Sequence, residues 1–153
     1  MHKASEMMIL VAEDSPAYAL LYQKIFESRG HTVVLTNDGL ECLTAYTNEA
    51  KARKNKNADP FDAVILDYEM PKKNGFETAK EILSVVPGQK ILFITAFGDE
   101  ILTKMDLKGD NIGLIQKPFN SLDLINKVEG ALQLNEGVKC HSNAKLSQDY
   151  NSY

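Results

Sequence analysis

Five short runs rich in β-branched and apolar residues alternate along the chain with longer segments of helical spacing, and that alternation constrains the fold more than any other feature. The runs are Met8 to Ala12, Thr32 to Thr36, Ala63 to Asp67, Lys90 to Thr95 and Ile112 to Gln116. Most are continuously apolar, the pattern of strands covered on both faces in a parallel sheet.

Between them, Pro16 to Ser28 sets Tyr18, Leu21, Tyr22 and Ile25 on one helical face, with Ser15 as N-cap, Pro16 at the first helical position and Gly30 as the stop. Leu40 to about Lys54 reads as a second helix, and Phe76 to Val86 as a third that Pro87-Gly88 ends. Asp99 to Leu107 is a fourth. Ser121 to Leu134 is a fifth, with Leu122, Ile125, Val128 and Leu132 on one face behind the caps Asn120 and Ser121. Strands alternating with helices through right-handed crossovers predict an α/β class: a flavodoxin-like, doubly wound, five-stranded parallel sheet of order 2-1-3-4-5 with helices on both faces.

At 153 residues the chain holds one domain of this kind. With 17 Lys and Arg against 21 Asp and Glu, a net charge of −4, it lacks the basic excess of a nucleic-acid binder. Its longest apolar run, Met7 to Ala12, falls far short of the roughly 20 residues that span a bilayer. Nothing near Met1 resembles a secretory signal, and Cys42 and Cys140 form no CxxC pair. The expectation is a cytoplasmic protein with no membrane association and no direct nucleic-acid binding. Lys51 to Asp59 reads as a solvated connection, and the polar stretch Gly137 to Tyr153 as a flexible tail.

In a doubly wound sheet, ligand chemistry collects at the carboxyl ends of the strands beside the point where strand order reverses. Here those ends carry Glu13-Asp14, Asp67, Thr95 and Lys117-Pro118. Any one of these is an ordinary cap or turn residue. Together they are not, because three converging carboxylates repel one another unless a cation binds among them. Oxygen ligands of this kind suit Mg²⁺ together with a phosphate oxygen. A carboxylate can itself accept a phosphoryl group. Asp67 is then the nucleophile, Mg²⁺ and Lys117 the neutralising charges, and Thr95 a hydrogen-bond donor to the phosphoryl group.

The blocks that carry these residues are Ile9-Leu10-Val11-Ala12-Glu13-Asp14, Ile65-Leu66-Asp67-Tyr68-Glu69-Met70-Pro71-Lys72-Lys73-Asn74-Gly75, Phe93-Ile94-Thr95-Ala96 and Gln116-Lys117-Pro118-Phe119. In order and spacing the chain resembles the receiver domain of two-component response regulators over roughly Met7 to Leu134. The resemblance implies that Asp67 is the phosphorylated residue and that Asp14, Asp67 and the backbone carbonyl of Glu69 bind Mg²⁺, with Glu13 acting through a metal-bound water. It implies that Thr95 is the switch hydroxyl, Lys117 the ion-pair partner of the phosphoryl group, and the bond before Pro118 cis. On the same ground the domain runs from 7 to 134 with a flexible tail over 135–153, too short for an effector, so a single-domain receiver is expected. It is not an enzyme apart from catalysing its own aspartyl phosphorylation and dephosphorylation.

Three departures from the family pattern stand out. Glu13 replaces the more frequent Asp, which keeps the charge and lengthens the side chain. Leu114 stands where the family usually has Tyr or Phe, so the aromatic half of the usual switch is missing, and output is expected to couple by a smaller repacking near the fourth helix and fifth strand or through another surface. Glu69 and Phe97, two residues after Asp67 and Thr95, flank the path of the hydrolytic water by resemblance. Phe97 is expected to shield the acyl phosphate, and Glu69 either to orient water or to repel the phosphoryl charge.

Two other readings compete. A haloacid-dehalogenase-type phosphatase also uses an Asp at a strand end with Thr, Lys and Mg²⁺, although Asp67-Tyr68-Glu69 is not its Asp-x-Asp pattern and its paired acids come late in the chain. A receiver-like scaffold that is never phosphorylated is the other. For the main reading, the resemblance implies a histidine kinase or histidine phosphotransfer protein as donor, docking near the first helix with Ala19, Leu20 and Tyr22 as candidate contacts, and an unknown downstream protein as target. His31 and His2 have no metal-like partners in sequence, Cys140-His141 in the tail could capture a metal but has no other ligands beside it, and Tyr18, Tyr22 and Phe26 read as packing residues.

Overall fold

Each of the five apolar runs forms a strand, and the strands pair in parallel in the order β2-β1-β3-β4-β5. The structure is a computed structural model and describes residues 5–54, 58–98 and 109–134. In chain order the elements are β1 (Met8–Ala12), α1 (Pro16–Glu27), β2 (Thr32–Thr36), α2 (Gly39–Ala52), β3 (Ala63–Asp67), α3 (Gly75–Val85), β4 (Ile91–Thr95), β5 (Ile112–Gln116) and α4 (Ser121–Leu134). The helix expected over Asp99 to Leu107, the tail over 135–153, His2 and Cys140-His141 lie outside the described residues.

Successive strand residues point to opposite faces, so the sheet feeds two cores. Ile9, Val11, Ile65 and Ile94 pack with Tyr22, Ile25 and Phe26 of α1 and Leu124 and Val128 of α4. Leu10, Ala12, Val64, Leu66 and Phe93 pack with Cys42 and Tyr46 of α2 and Ala79 and Ile82 of α3. The strands β3 and β4 are buried throughout, while the edge strands β2 and β5 are partly open. That is the burial expected of a doubly wound sheet.

Two helix faces differ from the expected ones. Leu21 is exposed, because the buried stripe of α1 centres on Tyr22, Ile25 and Phe26. In α4, Leu122 is 65 % exposed and Leu124 is buried in its stead. At 3.6 residues per turn the two lie roughly 200° apart around the helix, so only one can face the sheet.

The helix starts follow local chemistry. Ser15 caps α1 through the Tyr18 N–H, with Pro16 at the first position. Asn74 and Glu77 form a reciprocal capping box on α3. Gly75 has a steric reason as well: a Cβ there would lie 2.6 Å from the Asp67 carbonyl oxygen, so the Asn-Gly pair lets α3 start hard against the end of β3.

Candidate functional site

The parallel register sets the expected residues along one edge of the sheet. Ala12 lies beside both Thr36 and Leu66, Asp67 beside Ile94, and Thr95 beside Gln116, so Glu13-Asp14, Asp67, Thr95 and Lys117 leave the sheet together at its carboxyl end. The reversal of strand order falls between β1 and β3, where the acids sit.

Asp67 is 4 % exposed, and its Oδ1 is buried with no hydrogen-bond partner among the described residues. Its Oδ2 is 3.7 Å from Lys117 Nζ. Glu13 is 1 % exposed; its Oε1 meets Lys117 Nζ at 3.3 Å and accepts from the Tyr22 hydroxyl at 3.2 Å, while its Oε2 accepts from the Ser15 N–H at 3.1 Å. Asp14 is exposed. One carboxylate oxygen each from Glu13, Asp14 and Asp67 lie within 4.8 Å of one another.

This crowding has an electrostatic consequence. Burial, reinforced by the neighbouring Glu13 carboxyl, pushes the Asp67 carboxyl up to about 8, with Lys117 pulling the other way and Glu69 adding to the rise. An orphaned buried carboxylate oxygen, a second acid beside it and an exposed third one are the donor set of a hard divalent cation, so the residues present fit Mg²⁺.

Lys117 is held from several sides. Its ammonium pairs with Glu13 and Asp67 and lies 4.0 Å from the centre of the Tyr18 ring, an arrangement in which the ring face attracts the cation. Its backbone N–H donates to the Thr95 carbonyl at 2.7 Å, and the following bond to Pro118 is cis, as the resemblance implied. Phe119 stacks on Tyr22 with ring centres 5.9 Å apart.

Thr95 is fully buried at the end of β4, its hydroxyl donating to Glu69 Oε2 at 2.8 Å and accepting from the Phe97 N–H at 3.0 Å. The Phe97 ring is 56 % exposed. Leu114 joins the core on the α2 and α3 side, where a Cβ on Gly98 would come 3.3 Å from its Cδ2.

Tyr18 and Tyr22, which helical spacing assigns to packing, belong to the site through Lys117 and Glu13. A signal was present: a phenol on the buried face of a helix needs a partner for its hydroxyl, and the acids immediately before α1 are the nearest candidates. The same burial corrects the docking surface, since Tyr22 is 1 % exposed and cannot meet a partner there, whereas Leu20 is 50 % exposed. His31 is likewise no bystander in a turn. It is buried, with Nδ1 accepting from the Met7 N–H and Nε2 facing Glu129 at 2.8 Å, and it ties α4 to β1 at the opposite end of the sheet.

A doubly wound sheet with three acids, a lysine and a buried threonine at its carboxyl edge is the arrangement of a receiver-type fold. The sequence pattern described as "Response regulator receiver domain" matches residues 9–129, and the chain belongs to that family: it is a receiver domain of a two-component response regulator. It is 30 % identical over 124 residues to the response regulator receiver protein CpdR of Brucella abortus, covering 81 % of this chain and 95 % of CpdR. It spans about half the length of the CpxR and RprY transcriptional regulators and about a quarter of that of ZraR among its curated relatives. Among solved structures, a receiver domain protein from Clostridium thermocellum superposes with a TM-score of 0.68 at 23 % identity, over 84 % of this chain and 96 % of that one, a likeness of fold. The response regulator protein TrrA from Thermotoga maritima, solved in complex with Mg²⁺ and BeF, superposes with a TM-score of 0.65 at 28 % identity, over 81 % of this chain and 97 % of TrrA. No helix among the described residues is long and apolar enough to cross a membrane. The phosphatase alternative gives way to the family assignment.

Proposed function

We propose that this receiver accepts a phosphoryl group on Asp67 from a phosphohistidine donor and that the modification switches its contacts with another protein. The observation that carries this reading is the buried Oδ1 of Asp67, without a hydrogen-bond partner among the described residues, between a lysine and two other acids, a costly arrangement for a residue with only a structural task.

In the step, the P–N bond of the donor breaks and a P–O bond to an Asp67 carboxylate oxygen forms; the imidazole keeps the electron pair and takes a proton from water. Asp14, Asp67 and the Glu69 backbone carbonyl would hold Mg²⁺, with Glu13 reaching it through a water. When bound, Mg²⁺ supplies positive charge against the transferring phosphoryl oxygens. Lys117 supplies this chain's own countercharge, already aimed by Glu13 and the Tyr18 ring. Thr95 offers the hydroxyl that reads the new phosphoryl oxygens. Tyr22 and Lys117 both donate to Glu13 Oε1, which holds that carboxylate toward the lysine.

The donor is a histidine kinase or histidine phosphotransfer protein that meets α1, where Leu20 and Ala19 are available and Tyr22 is not. Residues 7–134 form the receiver and 135–153 a polar extension, in a cytoplasmic setting. Output passes to a protein partner rather than to nucleic acid, in keeping with the −4 charge.

Acetyl phosphate with Mg²⁺ followed by intact mass measurement tests the reading. A gain of one phosphoryl unit that disappears in Asp67→Asn is expected. No gain, or a gain that persists in Asp67→Asn, favours the unphosphorylated scaffold.

A further inference from the structure

The Thr95 hydroxyl has one proton, and in this structure Glu69 holds it. The donor is completely buried at the end of β4, whereas the acceptor belongs to an exposed residue that reaches back from the segment after β3. The hydroxyl oxygen is engaged at the same time by the Phe97 N–H. Under the proposed function, this hydroxyl donates to a phosphoryl oxygen on Asp67, and one O–H cannot serve two anionic acceptors at full strength.

We propose that Glu69 is a positioning residue that acts as a latch: its carboxylate holds the Thr95 hydroxyl in the resting protein, and loading of Asp67 has to displace it. The inference deepens the phosphoacceptor reading and rests on it.

The asymmetry of the two partners suits such a latch. A hydrogen bond from a hydroxyl to a carboxylate is stronger than a neutral one, and a buried hydroxyl left without an acceptor is costly. Thr95 therefore stays with Glu69 until another acceptor arrives. Glu69 is exposed, so its carboxylate returns to water at little cost once the hydroxyl leaves it. The incoming phosphoryl charge also repels Glu69, which makes release and loading a single exchange. Because the Phe97 N–H follows the hydroxyl oxygen, the exchange reaches the backbone after β4.

The latch is tested first in EDTA with no phosphoryl donor, by the ¹³C-methyl resonance of Thr95. Glu69→Ala is expected to shift it; an unmoved resonance overturns the latch whatever the protein does with phosphate. The second measurement is the apparent affinity for beryllofluoride in the presence of Mg²⁺. Glu69→Ala is expected to raise it about five-fold when Thr95 is present and by less than about two-fold in Thr95→Val, since the gain depends on a freed hydroxyl. Thr95→Ser, which keeps the hydroxyl, is expected to keep the larger gain. Equal gains with Thr95 and with Thr95→Val mean that Glu69 acts through charge alone, and they overturn the proposal. If the methyl shifts but the native protein binds no beryllofluoride, the phosphoacceptor reading fails and the regulatory role of the latch fails with it.

Discussion

The Tyr22 phenol donates a hydrogen bond to the Glu13 carboxylate at 3.2 Å, between α1 and the end of β1. Burial and the facing carboxylate push that phenol well above its ordinary range, so it remains a donor. Glu13 is one methylene longer than aspartate, and Tyr22, Lys117 and the Ser15 N–H together claim both its oxygens.

Tyr22→Phe removes one partner of a buried charge without changing the ring packing against Phe119. The expected cost is about 1–3 kcal/mol of stability, read by urea unfolding. Acetyl phosphate labelling of Asp67 should survive at a reduced rate, because Lys117 keeps its other contacts. A variant as stable as the native protein would show that the hydrogen bond contributes nothing to holding Glu13.

Asp67→Asn is expected to stabilise the metal-free protein at neutral pH. The Asp67 carboxyl is raised to about 8 in the folded state, chiefly by burial, against roughly 3.9 unfolded. Between those values the folded chain binds more protons than the unfolded one, so stability falls as pH rises from about 4 to about 8. Replacing the acid removes that loss. In EDTA at pH 7.5 the melting temperature of Asp67→Asn should rise by roughly 3–6 °C, about 1–2 kcal/mol. Adding millimolar Mg²⁺ should raise the native melting temperature and leave the variant almost unmoved. A lower melting temperature for Asp67→Asn in EDTA would contradict the electrostatic account.

Glu129 gives a pH dependence of opposite sign at the other end of the sheet. Its hydrogen bond from Arg29, with a further one from His31, holds its carboxyl below the usual carboxylate range. A lowered folded value means that this stabilisation is complete above the unfolded value near 4.3 and is lost as pH falls through the folded one. Glu129→Gln should therefore melt lower than the native protein at pH 7, and the gap should close as the pH approaches 3. Parallel melting curves across that range would count against it.

Under the proposed function, Phe97→Ala addresses the lifetime of phosphorylated Asp67. The ring is 56 % exposed, so its loss should change stability by no more than about 0.5 kcal/mol. If the ring screens the acyl phosphate from water, the phospho-Asp67 half-life should shorten by about two- to five-fold, roughly 0.4–1 kcal/mol of barrier. An unchanged half-life would remove Phe97 from that role and leave only its backbone contact with Thr95.

Much of the fold was legible because its signals are local. Continuous apolar runs specify strands buried on both faces, and Ser15-Pro16 and Asn74-Gly75 mark helix starts through side-chain capping and fixed backbone angles. The strand bounds agree with the sequence reading except that β4 begins at Ile91 instead of Lys90. The buried faces of α1 and α4 were harder, since Leu21 and Leu122 obey helical spacing and only the position of the sheet decides which side of the stripe is covered.

The sequence by itself determined the alternating architecture and the set of chemical groups at the strand ends, because periodicity, capping and turn chemistry act between near neighbours. Only the tertiary structure decided how those groups are paired. Lys117 meets Glu13, Thr95 meets Glu69 and His31 meets Glu129 across 104, 26 and 98 positions of chain. Contacts of that span depend on strand order and parallel register, which bring distant segments together at the two ends of the sheet, and on burial, which makes each polar group require a partner.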